Sequence, residues 1–241
     1  MKPSNLLTEL RDGVLTLSLN RPEKRNAIDN ALARALLAAL DGASRDGAVR
    51  AIRLRGNGKA FCAGRDISAA PTDDDLVLVQ SVAQAIVRNP KPVLAVVHGW
   101  TVGAGLEWML DADVVIAAES ASFKLPESSL GVFVTGGLCA TLPASAGVGR
   151  AKALMLLGEP FTALQAQAWG LVWSVVAEAA LEDASWQIAT RLAALAPDVA
   201  HHFKRVLNQV GLTAFDKAIE MENTAQRSLI AADPALGRND A

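Results

Sequence analysis

Apolar positions recur along the chain with two periods, and each change of period marks an element. Residues 6–10 and 14–19 flank Asp12-Gly13, and the second run alternates in steps of two, which predicts a hairpin. Asp29 then precedes Leu32, Leu36, Leu37 and Leu40, an apolar stripe at helical spacing that ends near Gly42. Residues 50–55 alternate apolar and basic side chains, as a half-buried strand does. A glycine-rich loop, GNGKAFCAGRD, occupies 56–66. The next helix opens at 73–75, with Leu76, Val79, Val82, Ala83 and Ile86 inward, and closes before Pro90.

The densest apolar stretch follows. Val93–Val97 and Val114–Ala118 are continuous runs rich in β-branched residues, the mark of buried strands. Between them Gly99, Gly103 and Gly105 punctuate the backbone, and a short apolar helix begins near Gly105. Residues 119–134 are irregular, broken by Pro126 and Gly131. Then come a helix over 150–157, a capped helix over 162–169 stopped by Gly170, and a last strand over 171–176. From Ala180 the pattern is helical, interrupted at Pro197 and Gly211. Strands alternating with helices, then helices alone, predict an α/β fold. The expected division is a core of residues 1–178 and a helical region of residues 179–241.

With 241 residues, 51% of them hydrophobic, the chain can build one large domain, or one domain with a modest appendage, around a sizeable core. The net charge of −2 provides no positive field for nucleic acid or an acidic membrane. Residues 93–118 carry His98, Glu107, Asp111, Asp113 and glycines, so they read as a buried strand–turn–helix and not as a membrane span. The first residues lack an apolar signal core, and Cys62 and Cys139 are the only cysteines. A cytoplasmic protein without a disulfide is the expectation.

Several chemistries are absent from the motifs. There is no Walker lysine pattern, no HExxH and no CxxC, and Gly103-Ala104-Gly105 lacks the third glycine of a dinucleotide fingerprint. Residues 99–103 (GWTVG) match a nucleophile elbow only in outline, with Thr101 where serine belongs. His98, His201 and His202 are not clustered with cysteines, so no metal site is expected.

Two glycine-rich turns and two glutamates remain. The turns at 61–64 and 103–105 each follow a strand and lead toward a helix. They are either ordinary tight turns or, if their unpaired N–H groups converge, a cradle for one oxyanion. Glu107 is flanked by Leu106, Trp108, Met109 and Leu110, where a carboxylate loses hydration and needs compensation, by a salt bridge or by a chemical role. Glu127 follows Pro126 and is either a loop carboxylate or the partner of Glu107 in acid–base work.

Several stretches, taken together and in order, resemble the enoyl-CoA hydratase/isomerase (crotonase) family. They are NRPEKRNAID at 20–29, GNGKAFCAGRDI at 56–67, HGWTVGAGLEWMLDADVVIA at 98–117, FKLPESSLGVFVTGG at 123–137 and GEPFTALQAQAWGLVWSVV at 158–176. The resemblance implies a crotonase-like ββα superhelix with a helical C-terminal trimerisation region, assembled as a homotrimer or as a hexamer of two trimers. It implies that the N–H groups of Ala63 and Ala104 form an oxyanion hole for an acyl-CoA thioester. Glu107 and Glu127 fall on the two glutamates that activate water and exchange the α-proton in the hydratases. Substrate contacts are implied for Lys24, Arg25, Ala63, Gly64, Arg65, Asp66, Ile67, Phe133 and Lys204, with Lys204 reaching the CoA phosphates. The bland alternative for the cations is a solvated surface charge.

Three departures from the family pattern stand out. Ala104 occupies a position where many members have glycine. Arg65 replaces a smaller residue. The tail over 228–241 lacks the usual closing glycine, phenylalanine and lysine-arginine pattern. The implied activity is hydration of a 2-enoyl-CoA to a 3-hydroxyacyl-CoA, with no metal or redox cofactor and with CoA as part of the substrate. The rival readings are a Δ3-Δ2-enoyl-CoA isomerase and a catalytically silent binding or scaffold subunit.

Overall fold

The turn at Asp12-Gly13 closes a hairpin of β1 (Leu6–Arg11) and β2 (Val14–Leu19), with Arg11 opposite Val14. The structure is a computed structural model and describes residues 4–68 and 72–232. The tail over 233–241, part of the atypical ending noted above, lies outside the described residues. Helix α1 (Asn30–Arg45) starts where expected, because the Asp29 carboxylate accepts the Leu32 N–H at 2.7 Å. It runs past Gly42, since a mid-helix glycine costs only about 1 kcal/mol and the next turn brings Ala43 into the core.

A strand–strand–helix unit then repeats three times. The first is β3 (Ala51–Gly56), β4 (Ala60–Cys62) and α2 (Asp73–Arg88). The second is β5 (Val93–Val97), β6 (Trp100–Val102) and α3 (Ala104–Leu110). The third is β7 (Val114–Ala118), β8 (Ser122–Lys124) and the short α4 (Glu127–Leu130). In each unit the first strand joins a large sheet and the second a small one. After α5 (Leu138–Ala146) and α6 (Val148–Leu157), β9 (Phe161–Thr162) joins the small sheet. Beyond α7 (Ala163–Ala168), β10 (Ser174–Val176) completes the large one. The orders are β1-β2-β3-β5-β7-β10 and β4-β6-β8-β9. From β2 onward the large sheet is parallel throughout. This is the ββα architecture that the family resemblance implied.

A parallel sheet needs cover on both faces, which is why β5 has all five residues buried. Val93, Ala95 and Val97 face the core built with α1, α2 and α3. Leu94 and Val96 face the other way, onto Leu181, Ala189 and Ala193 of α8 (Leu181–Ala193). Two expectations change as a result. Helix α8 lies beyond the expected boundary at 178 yet packs as a layer of the core. Residues 50–55 were read as half-buried, but Arg53 is only 2% exposed and β3 is buried on both faces. Under α8 the Arg53 guanidinium pairs with Glu182 at 2.6 Å and donates to Ser185 Oγ at 2.7 Å.

The strands of the small sheet have two or three residues each, too few for a self-sufficient ladder. Phe123 and Phe161 stack across β8 and β9 at 5.2 Å, an arrangement adding about 0.5–1.5 kcal/mol. After α8 come α9 (Pro197–Gly211) and α10 (Phe215–Ala232), and α10 returns over α5.

Candidate active site

The turns after β4 and β6 meet α4 and α10 around a cavity of about 850 Å³. Gly64 (φ 85°) brings the two turns together, since a Cβ there would lie 2.8 Å from the Val102 carbonyl oxygen and 3.7 Å from the Ala104 nitrogen. Only a residue without a side chain allows this approach. Ala63, Gly64, Arg65, Gly103 and Ala104 all line the cavity.

The Ala63 N–H is not available to a ligand. It donates to the Arg25 carbonyl at 2.9 Å, which corrects its expected place in an oxyanion hole. Ile28 donates to the Gly64 carbonyl at 2.8 Å and accepts from the Asp66 N–H at 2.9 Å, so this bridge leaves the intervening Arg65 N–H unused. Ala104 is the first residue of α3, where no preceding turn offers an acceptor. Among the described residues, the N–H groups of Arg65 and Ala104 donate to no protein acceptor.

Glu107 enters the cavity from the first turn of α3 and Glu127 from the start of α4. Glu107 is 1% exposed; its Oε1 accepts the Thr135 N–H at 3.0 Å, and the Gly136 N–H also contributes. Burial pushes its pKa up to about 8, assisted by the negative charges of Glu127 and Glu222, against the pull of the two N–H donors. Burial raises Glu127 to about 7. Its Oε2 is buried without a hydrogen-bond partner among the described residues. Its Oε1 lies 2.8 Å from where a Cβ on Gly103 would sit, and the backbone there, at φ 51° and ψ −125°, favours glycine.

The other expected contacts divide. Lys24, Gly64, Arg65, Asp66, Ile67 and Phe133 line the cavity. The Asp66 carboxylate is already paired with Arg21 at 2.9 Å; its pKa is held down to about 2, first by its hydrogen bonds with Ser68 and also by Arg21. The Arg65 guanidinium lies 3.6 Å from Asp75. Arg25 is exposed and does not line the cavity, serving instead through its carbonyl. Lys204 is the clearest correction. It is buried, and its ammonium is spent on Asp113 at 2.7 Å and on the carbonyls of Ile86 at 2.9 Å and Lys91 at 3.3 Å. A lysine with three acceptors inside the fold has no donor left for a phosphate.

Leu76, Val132 and Thr135 line the cavity beside Phe133. Sequence reasoning missed Gln226, Arg227 and Ile230, which line it from α10. Their spacing marks one helix face, but spacing does not say what that face meets. Cys62 beside the first turn is buried, donates to the Asn26 carbonyl at 3.2 Å, and has its pKa pushed up to about 12 by burial. Such a thiol is inert. Among the described residues, no group of three or more His, Cys, Asp or Glu could hold a metal ion.

A family model described as enoyl-CoA hydratase/isomerase matches residues 9–235. The chain is 35% identical over 232 residues to the 1,2-epoxyphenylacetyl-CoA isomerase of Escherichia coli, covering 92% of this chain and 88% of that protein. It is 34% identical over 226 residues to the 2,3-dehydroadipyl-CoA hydratase of the same organism, covering 91% and 88%. A solved enoyl-CoA hydratase from Mycobacterium avium subsp. paratuberculosis superposes with a TM-score of 0.89 at 31% identity, covering 94% of this chain and 90% of that one. With its ββα fold, its paired turns and both glutamates on one cavity, the chain belongs to the enoyl-CoA hydratase/isomerase (crotonase) family.

Proposed function

We propose that the protein hydrates a 2-enoyl-CoA to a 3-hydroxyacyl-CoA. The observation that carries this reading is a pair of buried carboxyl groups, Glu107 and Glu127, facing one cavity, where burial pushes them up to about 8 and about 7. Hydration takes a proton from water and gives one to C2, so the pair must hold one proton between its two members. In this proposal the thioester oxygen sits between the N–H groups of Arg65 and Ala104, which stabilise the enolate as negative charge develops there. Water between Glu107 and Glu127 adds at C3. Lys24, exposed on the cavity rim, takes the place first given to Lys204 as a cation for the CoA phosphates. No metal or redox cofactor enters the scheme.

The family model, described as enoyl-CoA hydratase/isomerase, keeps a second reading open, a Δ3-Δ2-enoyl-CoA isomerase in which one carboxyl shuttles a proton and no water is added. The pH profile of kcat/KM separates the two. The hydratase, needing one carboxyl ionised and the other protonated, is expected to show a bell with its maximum between about 7 and about 8. A profile with a single ionisation, together with conversion of a 3-enoyl-CoA into the conjugated ester, contradicts it.

The proposed assembly is a homotrimer or a hexamer, and the proposed compartment is the cytoplasm, in keeping with two free cysteines. Leu181, Ile188 and Leu192 of α8 pack against the sheet. The exposed apolar face belongs to α9, where Val199, Phe203, Val206, Leu207 and Val210 cluster at helical spacing. Light scattering is expected to give the mass of three or six chains, and Phe203→Glu with Leu207→Glu is expected to lower it. A monomer at micromolar concentration contradicts the assembly.

A further inference from the structure

We infer that Glu222 and Gln226 form a clasp on α10 that positions the Glu107 carboxyl by gripping both ends of the backbone segment bound to it. The inference rests on the hydratase reading and adds to it two positioning residues on a different part of the chain. Gln226 Oε1 accepts the Phe133 N–H at 2.6 Å. The Glu222 carboxylate accepts the Gly137 N–H at 2.8 Å with one oxygen and the Cys139 N–H at 2.8 Å with the other. Between these anchor points, Thr135 donates its N–H to Glu107 Oε1 at 3.0 Å, and the Gly136 N–H also supports that carboxyl.

The grip is built into the fold. Glu222 is 0% exposed and Gln226 is 7% exposed, so each takes the place of water for backbone groups that would otherwise be buried unpaired. Gly137 caps α5 without a side-chain acceptor of its own, and Glu222 supplies the missing one from α10. Phe215 packs on the same helix face, where its ring leaves no room for a Cβ on Gly137. The positions 215, 222 and 226 fall on one side of a helix. At the other end of the contact, a Cβ on Gly136 would lie 2.6 Å from Glu107 Oε2 and 3.2 Å from its Cβ, so the lack of a side chain there lets the segment sit against the carboxyl. A displacement of residues 133–137 therefore changes the position of Glu107 relative to the substrate.

In Glu222→Gln one oxygen keeps its bond while the amide NH2 faces a second N–H donor, and the charge is lost. The expected result is a kcat lowered about 10-fold or more with KM within about 2-fold, because misplacing a reacting group costs turnover more than binding. The upper pKa of the kcat/KM profile should also fall, since one negative neighbour of Glu107 is removed while Glu127, Asp111, Cys139 and Arg65 remain around it. Glu222→Asp, which keeps the charge and both acceptors, is expected to recover part of the loss.

The deciding experiment is a double-mutant cycle with Glu107→Gln, with folding followed by circular dichroism. Glu222→Gln is expected to slow the wild type and to leave the residual rate of Glu107→Gln unchanged. An equal proportional loss in both backgrounds, or a single variant at the wild-type rate, overturns the clasp while leaving the hydratase reading intact. Should Glu222→Gln fail to fold, Gln226→Leu carries the same cycle, with an expected loss of about 3-fold confined to the wild-type background. A wild type that hydrates no 2-enoyl-CoA overturns the underlying reading, and the clasp as a catalytic device with it.

Discussion

Glu107→Gln and Glu127→Gln are each expected to lower kcat for hydration about 10²-fold or more, with CoA-ester binding little changed. Glutamine keeps the size and the hydrogen bonds but can neither take nor give the proton. The double variant is expected to fall well short of the product of the two losses, because the groups act on one water as a unit. In an isomerase only one of the two changes is severe; in a scaffold subunit neither has a turnover to reduce. Stability gives a second readout. Burial lifts the Glu107 pKa from 4.5 to about 8, so the folded chain retains a proton that the unfolded chain releases between those values. The stability this contributes is present below the unfolded pKa and is lost as pH rises through the folded one. Glutamine never ionises, so Glu107→Gln should gain stability relative to the wild type as pH increases over that window. Chemical denaturation at three pH values checks the sign.

Proline at Ala104 is expected to lower kcat about 10²-fold or more while leaving the fold in place. The first position of a helix tolerates proline well, and Ala104 is the first residue of α3. Its ring removes the N–H, and one lost oxyanion donor costs about 10²–10³-fold in kcat. Ala104→Gly keeps the donor and removes the methyl, so its activity should equal or exceed that of the wild type. At the other turn, Arg65→Ala should retain most activity and Arg65→Pro should lose it, because the backbone and not the guanidinium supplies the donor. Full turnover in the folded Ala104→Pro protein contradicts the oxyanion assignment.

Much of this architecture could be read from residue patterns, for identifiable reasons. Val93–Val97 and Val114–Ala118 were legible because a strand covered on both faces must be apolar at every position. The start of α1 was legible because its capping carboxylate is local. The small sheet was not, because strands of two or three residues carry no measurable period. Helix α5 has no polar stripe, so its LCATLPASA segment showed no face. Arg53 looked like a solvent-facing strand residue until Glu182, distant in sequence, turned out to cover it.

At the site, Glu107 was legible because a carboxylate among Leu106, Trp108 and Met109 conflicts with folding alone, whereas Glu127, in a polar loop after Pro126, was marked only by its place in the family pattern. The choice of donor at the first turn was not legible. Ala63 and Arg65 lie two residues apart, and only the pairing of Ala63 with Arg25 shows which N–H is already taken. Lys204 was misplaced for the same reason, since its partner Asp113 meets it only in the folded chain. The contribution of α10 rests on where a distant helix returns, which composition and spacing do not encode.

The central claim is that this cavity adds water across the conjugated double bond of a 2-enoyl-CoA. Mixing the protein with a panel of 2-enoyl-CoA esters, and following the absorbance of the conjugated thioester, tests it most directly. The expected result is a catalytic loss of that absorbance with at least one chain length, stoichiometric formation of the 3-hydroxyacyl-CoA, and suppression of both by Glu107→Gln. Unchanged absorbance with every ester, or its appearance from a 3-enoyl-CoA with no hydroxyacyl product, would contradict it.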